Sequence, residues 1–289
     1  MSTATASSSD KLMPTDRPIV TLMTDFGLRD TYVAQMKGVM TSQRPGVNIV
    51  DLTHAIPPQD IVAAAFQLDD AIDAFPPGTI HLVVVDPGVG TNRDILAVRS
   101  GGQFFVGPDN GIFSRILRRD QSAIVIAVDQ SKFKRKAGSA TFHGRDIMAP
   151  IAARLATFKR EVSEVDLLQL GQPTRPMLLD ATADIEPDLF ENTEGRVIWC
   201  DHFGNLISNI KVGQRSDLPE RADVSIGETE EIPVVRCYAE TPRGSLLALI
   251  GSAGRLEVAV NGGNASERLN VGVGTSITLT CTPTEAADR

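Results

Sequence analysis

Strand-like and helix-like segments alternate from residue 19 to residue 85, and this alternation constrains the fold more than any other feature of the chain. Three apolar runs, IVTLM, VNIVDL and TIHLVVV, are separated by two segments with apolar residues at helical spacing. The third run is almost continuously apolar, as in a strand covered on both faces of a parallel sheet. The pattern therefore predicts a doubly wound α/β domain.

Capping residues and turn signals extend this prediction. Asp30 is predicted to cap a helix over residues 31–42, and Asp60 a helix whose apolar stripe includes Ile61 and Leu68. The other predicted elements of this half are a hairpin at 94–111, a strand at 123–128 and a helix at 144–156.

The character of the sequence changes after Gly171. An irregular segment rich in proline and acidic residues comes first, followed only by strand-like segments between turns of Gly, Pro and Asn. Such a pattern is typical of a small all-β domain, either a sandwich or a barrel. The predicted organisation is a disordered leader at 1–17, an N-terminal α/β domain at 18–172, a linker at 173–193 and a C-terminal β domain at 194–289.

Composition narrows the classes of partner. The formal net charge of −8 argues against a nucleic-acid partner, and the one basic cluster, KFKRK at 132–136, is read as a solvated loop. No apolar run approaches the ~20 residues that span a bilayer, and the first residues lack the apolar core of a secretory signal. Three distant cysteines without C-x-x-C spacing indicate neither a disulfide framework nor a zinc site. We therefore expect a cytoplasmic protein with no membrane partner.

Polar residues follow the predicted strands. Ligands of open α/β sheets bind outside the carboxyl ends of the strands, so these residues are candidates for a site. A lone aspartate after a strand is often a cap or turn former, and lone histidines such as His81 are usually structural. The candidates are Asp25, Asp51, Thr53, His54, Asp86, Asp109, Asn110 and His143.

These residues support two chemistries. Asp and His side chains could hold a divalent metal and form a metallohydrolase, although no H-x-H, H-E-x-x-H or D-x-D spacing occurs. Alternatively, Asp86, Arg93 and His143 could orient a water molecule without a metal, while other carboxylates hold a polyol such as ribose. Neither a Walker motif nor G-x-G-x-x-G is present.

Seven motifs in order carry a family resemblance. They are TLMTDFGLRDTYVAQMKGVM, DLTHAIPPQDIVAAAFQL, VVVDPGVGTNR, FVGPDNGIFS, TFHGRD, DHFGNLISNI and GSAGRLEVAVNGGNAS, between about residues 21 and 266. Together they resemble the S-adenosyl-L-methionine (SAM) hydroxide adenosyltransferases, which are relatives of fluorinase and chlorinase. The resemblance implies an α/β domain followed by a β-barrel-like domain, and a homotrimer with SAM bound between subunits. It also implies attack of water on ribose C5′, giving adenosine and L-methionine, with SAM as substrate and no cofactor or metal.

The same resemblance implies roles for residues of the N-terminal half. Asp25 matches the ligand of the ribose hydroxyls, for which the two oxygens of a carboxylate are suited. Asp86, Arg93 and His143 match the set that holds and activates the water.

In the C-terminal half, Asp201 matches the ligand of the methionine ammonium group. Phe203 and Asn205 match the adenine site, and Ser252 matches the region that holds the methionine carboxylate. Two further positions match the backbone segment near the adenine edge: Asn264 and Ala265.

Two rival functions share these motifs. Halogenases of this kind carry Tyr at the position of Asp86, and Tyr followed by Ser or Gly at the positions of His143 and Gly144. A carboxylate beside a bound halide would repel it, which favours water as the nucleophile. Tyr32 stands where fluorinase has a serine near the methionine, so the resemblance assigns no methionine contact to Tyr32. A non-catalytic SAM-binding sensor is the second rival.

Overall fold

The computed structural model describes residues 17–133, 135, 138–158 and 164–282. The predicted leader lies outside these residues except for Arg17, and so do Lys134 and Lys136 of the basic cluster. The chain divides into two compact units, of which the first ends at Leu178 and the second begins at Leu179.

The first unit is an α/β domain. Its sheet has the strand order β2-β1-β3-β5-β4-β6-β7, in which β2, β1, β3 and β5 are parallel and the remaining neighbours are antiparallel. The strands are β1 (Ile19–Thr24), β2 (Asn48–Thr53), β3 (Ile80–Val84), β4 (Ile95–Ser100), β5 (Gln103–Pro108), β6 (Ile124–Val128) and β7 (Gly171–Pro173). The helices are α1 (Tyr32–Gln43), α2 (Ile61–Ile72), α3 (Ser114–Arg119), α4 (Gln130–Phe133), α5 (Ala149–Leu155) and α6 (Glu164–Leu168).

Alternation along β3 produces a layer of helices on each face of the sheet. Leu82 and Val84 pack in one apolar cluster with residues of α1 and α5, whereas Val83 and Val85 pack in another with residues of α2 and α3. Since every residue of β3 is buried, the strand is covered on both sides. The predicted doubly wound α/β domain is confirmed.

The helix starts differ in one respect from the prediction. Asp60 caps α2, and its carboxylate accepts the N–H of Ala63 at 2.8 Å. Thr31, not Asp30, occupies the N-cap of α1. The predicted helix at 144–156 begins as one π-helical turn, Gly144–Met148, before α5. Such π turns are rare and are frequent at functional sites.

The second unit is a nearly closed antiparallel barrel, as predicted. Its strand order is β11-β10-β14-β8-β9-β13-β12, and a bridge between Val234 and Ala248 connects the two edges. The strands are β8 (Thr193–Cys200), β9 (Leu206–Lys211), β10 (Arg221–Ile226), β11 (Thr229–Pro233), β12 (Leu246–Ile250), β13 (Arg255–Val260) and β14 (Ser276–Thr282).

Two details of this unit differ from the strand-only prediction. The strand-like run IPVVRCYA ends as a strand at Pro233 and later forms a short 3-10 helix, Tyr238–Glu240. A helix, α7 (Ala265–Leu269), follows β13 and is capped by Asn264, whose side chain accepts the N–H of Glu267 at 2.9 Å. Asn and Glu at this spacing are an N-terminal helix signal.

The segment predicted as a linker, 173–193, carries structure of its own. It contains a 3-10 helix, Asp180–Thr182, and a bridge from Ile185 to Ile210 of β9. Asp184 pairs with the fully buried Arg255. The end of this segment is therefore fastened to the second unit. None of the helices described is long and apolar enough to cross a membrane.

Candidate active site

Asp86 and Arg93 form a buried ion pair at the carboxyl end of β3. Arg93 donates to both carboxylate oxygens of Asp86: its Nε lies 2.6 Å from Oδ1, and its Nη2 contacts Oδ2. The side chains are 9% exposed for Arg93 and 5% for Asp86. Two parallel N–H···O bonds of this kind fix the orientation of a guanidinium as well as neutralising it.

A tight loop makes this contact possible. The backbone N–H of Val89 donates to the carbonyl of Asp86, and Gly90 adopts a φ of +84°. Thr91 then donates from both its N–H and its hydroxyl to the carbonyl of Gly88. The chain thereby folds back so that Arg93, seven positions on, reaches Asp86.

Arg93 retains one unused donor group. Its Nη1 is buried and has no hydrogen-bond partner in the described part of the chain. A buried guanidinium N–H without a partner is costly, so such a group marks a place for an acceptor. Beside a carboxylate that already neutralises the charge, a water or hydroxide oxygen fits this place.

His143 joins the pair from the π turn. Its Nδ1 lies 3.2 Å from Nη2 of Arg93. Because an arginine can only donate, this nitrogen accepts, and the ring proton of a neutral His143 is assigned to Nε2. A Cβ atom at Gly144 would lie 3.1 Å from a methyl carbon of Val84, so glycine lets the turn pack closely against β3. The structure thus brings together the predicted trio of Asp86, Arg93 and His143.

Asp25 lies at the same edge of the sheet. Thr24 pairs with Val84, so Asp25 and Asp86 follow the paired ends of neighbouring parallel strands. The Asp25 carboxylate accepts the backbone N–H of Gln59 at 2.8 Å through Oδ2.

The next strand supplies support at this edge. Asn110 donates from Nδ2 to the carbonyl of Val85 at 2.9 Å and so holds the residue before Asp86. Asp109 accepts the N–H of Met177 at 2.8 Å, which fastens the end of the first unit. The side chains of Asn110 and Asp109 thus both bind backbone groups.

His81 takes no part in the site. It is fully buried in the sheet, its Nδ1 lies 2.7 Å from Thr21 Oγ1, and its ring stacks on Phe105. Burial lowers the pKa of His81 to about 4, although a contact with Gln103 works against this, so the ring is neutral at pH 7. Its role is structural, as the sequence indicated.

In the second unit, Asp201 organises the turn after β8. Its Oδ1 accepts the backbone N–H groups of Phe203 and Asn205, each at 2.9 Å. Its Oδ2 accepts Nδ2 of Asn205 at 2.8 Å, which leaves this oxygen with one further acceptor position.

Phe203, Asn205 and Tyr238 line a pocket of about 440 Å³ together with Val260 and two glycines. Phe203 is 71% exposed, so most of its ring is accessible to a ligand. Asn205 donates to Tyr238 Oη at 3.2 Å. Burial, followed by the charges of two nearby carboxylates, raises the pKa of Tyr238, so its phenol stays protonated.

Tyr238 is the functional candidate that the sequence analysis missed. It lies within the run IPVVRCYA, which alternation made look like one continuous strand. Because the strand ends at Pro233, the tyrosine instead reaches the pocket from a short helical turn. Its being one of only two tyrosines was the available signal.

Asn264 and Ala265 lie against the Asp201 turn, where Ser266 donates its N–H to the carbonyl of Gly204 at 3.0 Å. Asn264 uses its side-chain oxygen as a helix cap, and the Ala265 side chain is fully buried. Ser252 lies in the exposed turn between β12 and β13 and is not among the residues that line the pocket.

Gly204→Ala tests this packing. Gly204 has a φ of +82°, and an added Cβ would lie 2.0 Å from Asn264 Oδ1. We expect the free energy of unfolding in urea to fall by about 2 kcal/mol or more, from backbone strain plus the clash. Gly244→Ala is the matched control, because Gly244 has a φ of +86° and open space around it. Equal losses in the two variants would contradict the clash.

Among the residues that the structure describes, no group of three or more His, Cys, Asp or Glu side chains is arranged to hold a metal ion.

Comparison with known proteins gives a consistent result. Residues 20–166 match the family model described as the SAM hydroxide adenosyltransferase N-terminal domain, and residues 195–278 match its C-terminal domain. A curated relative from Thermus thermophilus, named (R)-S-adenosyl-L-methionine hydrolase, is 39% identical over 274 residues, covering 91% of this chain and 99% of the relative. A fluorinase from Actinoplanes is 26% identical over 304 residues, covering 91% of this chain and 97% of the fluorinase.

A solved structure agrees at the level of the fold. The crystal structure of an uncharacterized conserved protein from Thermotoga maritima matches with a TM-score of 0.78 and 32% identity, covering 91% of this chain and 100% of that one.

Proposed function

This chain belongs to the SAM hydroxide adenosyltransferase family, and we propose that it hydrolyses SAM to adenosine and L-methionine. The observation that carries the mechanism is the buried, unpartnered Nη1 of Arg93. It is a fixed cationic donor at the strand edge where Asp25 also lies.

The reaction is an in-line substitution at a primary carbon. The oxygen of water forms a bond to ribose C5′, the C5′–S bond breaks, and its electron pair neutralises the sulfonium as methionine leaves. The leaving group needs no proton, and the proton lost from water passes to solvent. The difficulty therefore lies in the nucleophile, since hydroxide is scarce at pH 7.

Arg93 meets this difficulty by donating to the water oxygen. Developing hydroxide character is stabilised by a preoriented cationic donor in a site that excludes bulk water. Asp86 contacts two of the three guanidinium nitrogens, Nε and Nη2, and so fixes the direction of the third, Nη1. Holding the water in line with C5′ adds to the rate, because positioning removes an entropic cost.

His143 supports Arg93 in this mechanism. While Nδ1 accepts from Nη2 of Arg93, that nitrogen cannot also take the proton of the water. We therefore assign His143 to orienting the guanidinium through Nη2, the nitrogen that also contacts Asp86.

The remaining assignments concern the rest of SAM. Asp25 has one carboxylate oxygen in use, and the other is available to the ribose hydroxyls. Asp201 offers its remaining acceptor position to the methionine ammonium, and Ser252 its hydroxyl to the carboxylate. Asn205 has both N–H donors in use, so its oxygen is the group offered to the adenine amine, while Phe203 packs on the ring.

The backbone of Asn264 and Ala265 completes the adenine edge. The assembly we propose is a homotrimer. Its substrate is the epimer of SAM with the R configuration at sulfur, because the names of the hydrolase relatives specify that configuration.

The proposal is tested by incubating the protein with resolved R and S epimers of SAM and separating the products by chromatography. We expect adenosine and methionine in equal amounts from the R epimer, with undiminished turnover after EDTA. Adding chloride or fluoride should yield no 5′-halo-5′-deoxyadenosine, because the carboxylate of Asp86 repels a halide. Binding of SAM without turnover would instead indicate a sensor, and loss of turnover with EDTA a metallohydrolase.

A further inference from the structure

A buried hydrogen-bond network lies directly behind the turn that carries Asp25. Thr24 Oγ1 lies 2.9 Å from His54 Nδ1, and the backbone N–H of Phe26 donates to the same hydroxyl at 3.2 Å. On the other side of the ring, His54 Nε2 lies 2.9 Å from Asp51 Oδ1.

One assignment of protons fits these contacts. Burial acts to raise the pKa of Asp51, but its contacts with Lys37 and His54 outweigh this and hold the pKa below its ordinary value. Because an ionised carboxylate only accepts, the ring nitrogen that faces it carries the proton. The other ring nitrogen then accepts the hydroxyl proton of Thr24, and the hydroxyl oxygen remains free to accept from Phe26.

The backbone of the same segment holds the turn as well. Gly27 donates its N–H to the carbonyl of His54 at 2.7 Å. Gln59 donates to the Asp25 carboxylate from a left-handed conformation with a φ of +66°, which is uncommon for a residue other than glycine. Both ends of the segment from His54 to Gln59 are therefore fastened to the turn.

Neither member of the central pair can touch a ligand. Thr24 is fully buried and His54 is 5% exposed. Any effect they have on the site must act through Asp25, which directly follows Thr24 in the chain.

We propose that Thr24 and His54 are positioning residues that fix the Asp25 carboxylate against the ribose, and that they thereby set the preference of this site for nucleosides with free 2′- and 3′-hydroxyls. This inference rests on the proposed function, because it takes Asp25 as the ribose ligand. A side chain that is held only loosely contributes much less to a site, because a displacement near 1 Å can lower the rate by up to about 10²-fold.

The test compares two ligands in each protein by calorimetry: adenosine, and 2′,3′-dideoxyadenosine, which lacks both hydroxyls. Wild type should bind adenosine more tightly, and Asp25→Asn should lower that preference about tenfold or more by removing the charge that the hydroxyls meet. Thr24→Val, which keeps the shape and removes the hydroxyl, should lower it about tenfold. Thr24→Ser, which restores the hydroxyl, should recover most of it.

Thr21→Val is the matched control. Thr21 lies on the same strand, is fully buried, and makes the equivalent contact with a histidine, at 2.7 Å from His81 Nδ1. We expect this variant to keep the wild-type preference, even if its thermal unfolding shifts as much as that of Thr24→Val. A general loss of packing would weaken the binding of both ligands equally, whereas the proposal requires that only the affinity for adenosine falls.

The outcomes separate this inference from the proposed function. If Thr24→Val keeps the wild-type preference, or weakens both ligands equally, while Asp25→Asn abolishes the preference, the positioning role is wrong and the ribose site stands. If wild type itself shows no preference, the ribose site fails and the positioning role fails with it.

Discussion

Replacing Arg93 by lysine is expected to lower the kcat of SAM hydrolysis by about 10²–10³-fold, the usual cost of losing one preoriented donor to a developing oxyanion. Lysine keeps the positive charge, so a large effect would show that the geometry of the guanidinium matters. A lysine ammonium cannot donate two parallel bonds to Asp86 and still present a fixed third donor to water. Single-turnover chromatography of adenosine measures the rate, and calorimetry measures adenosine affinity, which should change little.

Arg44→Lys is the control for this variant. Arg44 donates from Nε to the carbonyl of Ala156 at 3.1 Å, away from the strand edge that carries the trio. It should hydrolyse SAM like wild type. A kcat for Arg93→Lys within threefold of wild type would contradict the role assigned to Arg93.

Asp86→Asn is expected to cut kcat by about a hundredfold and to reduce the free energy of unfolding by about 3 kcal/mol. Asparagine has the size of aspartate but carries no charge, and it can accept at only one of its two terminal atoms. Arg93 is then a buried cation without its counterion, so it loses both its orientation and its compensation. Chromatography and urea unfolding measure the two effects.

Asp120→Asn provides the comparison. Asp120 also accepts several hydrogen bonds, from Ser100, Gly101 and Ser122, but it supports the turn between β4 and β5. The free energy of unfolding of Asp120→Asn should fall, while its kcat should stay at the wild-type value. If Asp86→Asn lost stability but kept wild-type kcat, Asp86 would be a purely structural residue.

The sheet, and the edge formed by the carboxyl ends of its parallel strands, could be predicted because both depend on the apolar pattern of short segments. Alternation along β3 predicted a strand covered on both faces, and consecutive parallel strands place the residues that follow them at one edge. Asp25, Asp86 and their neighbours could therefore be found before the structure was known. The antiparallel direction of β6 could not, because its run AIVIAV is as continuously apolar as the parallel strand β3.

Other features depend on contacts between segments distant in the chain. Spacing alone gave the candidate His54 no more weight than a usual lone histidine, and nothing in its neighbourhood predicted the contact with Thr24. The helix α7 was hidden by the strand-like residues before it, although Asn264 and Glu267 carried its capping signal. The place of Tyr238 could not be read from the alternation, because the apolar pattern continues past Pro233, where the strand ends.

If water attacks ribose C5′, its oxygen must end in adenosine, so we propose hydrolysing SAM in water enriched in ¹⁸O. Mass spectrometry of the products should find one ¹⁸O atom in the 5′-hydroxyl of adenosine and none in methionine. Adenosine without the label, or products cleaved at a different bond of the sulfonium, would contradict the mechanism built on Asp86, Arg93 and His143.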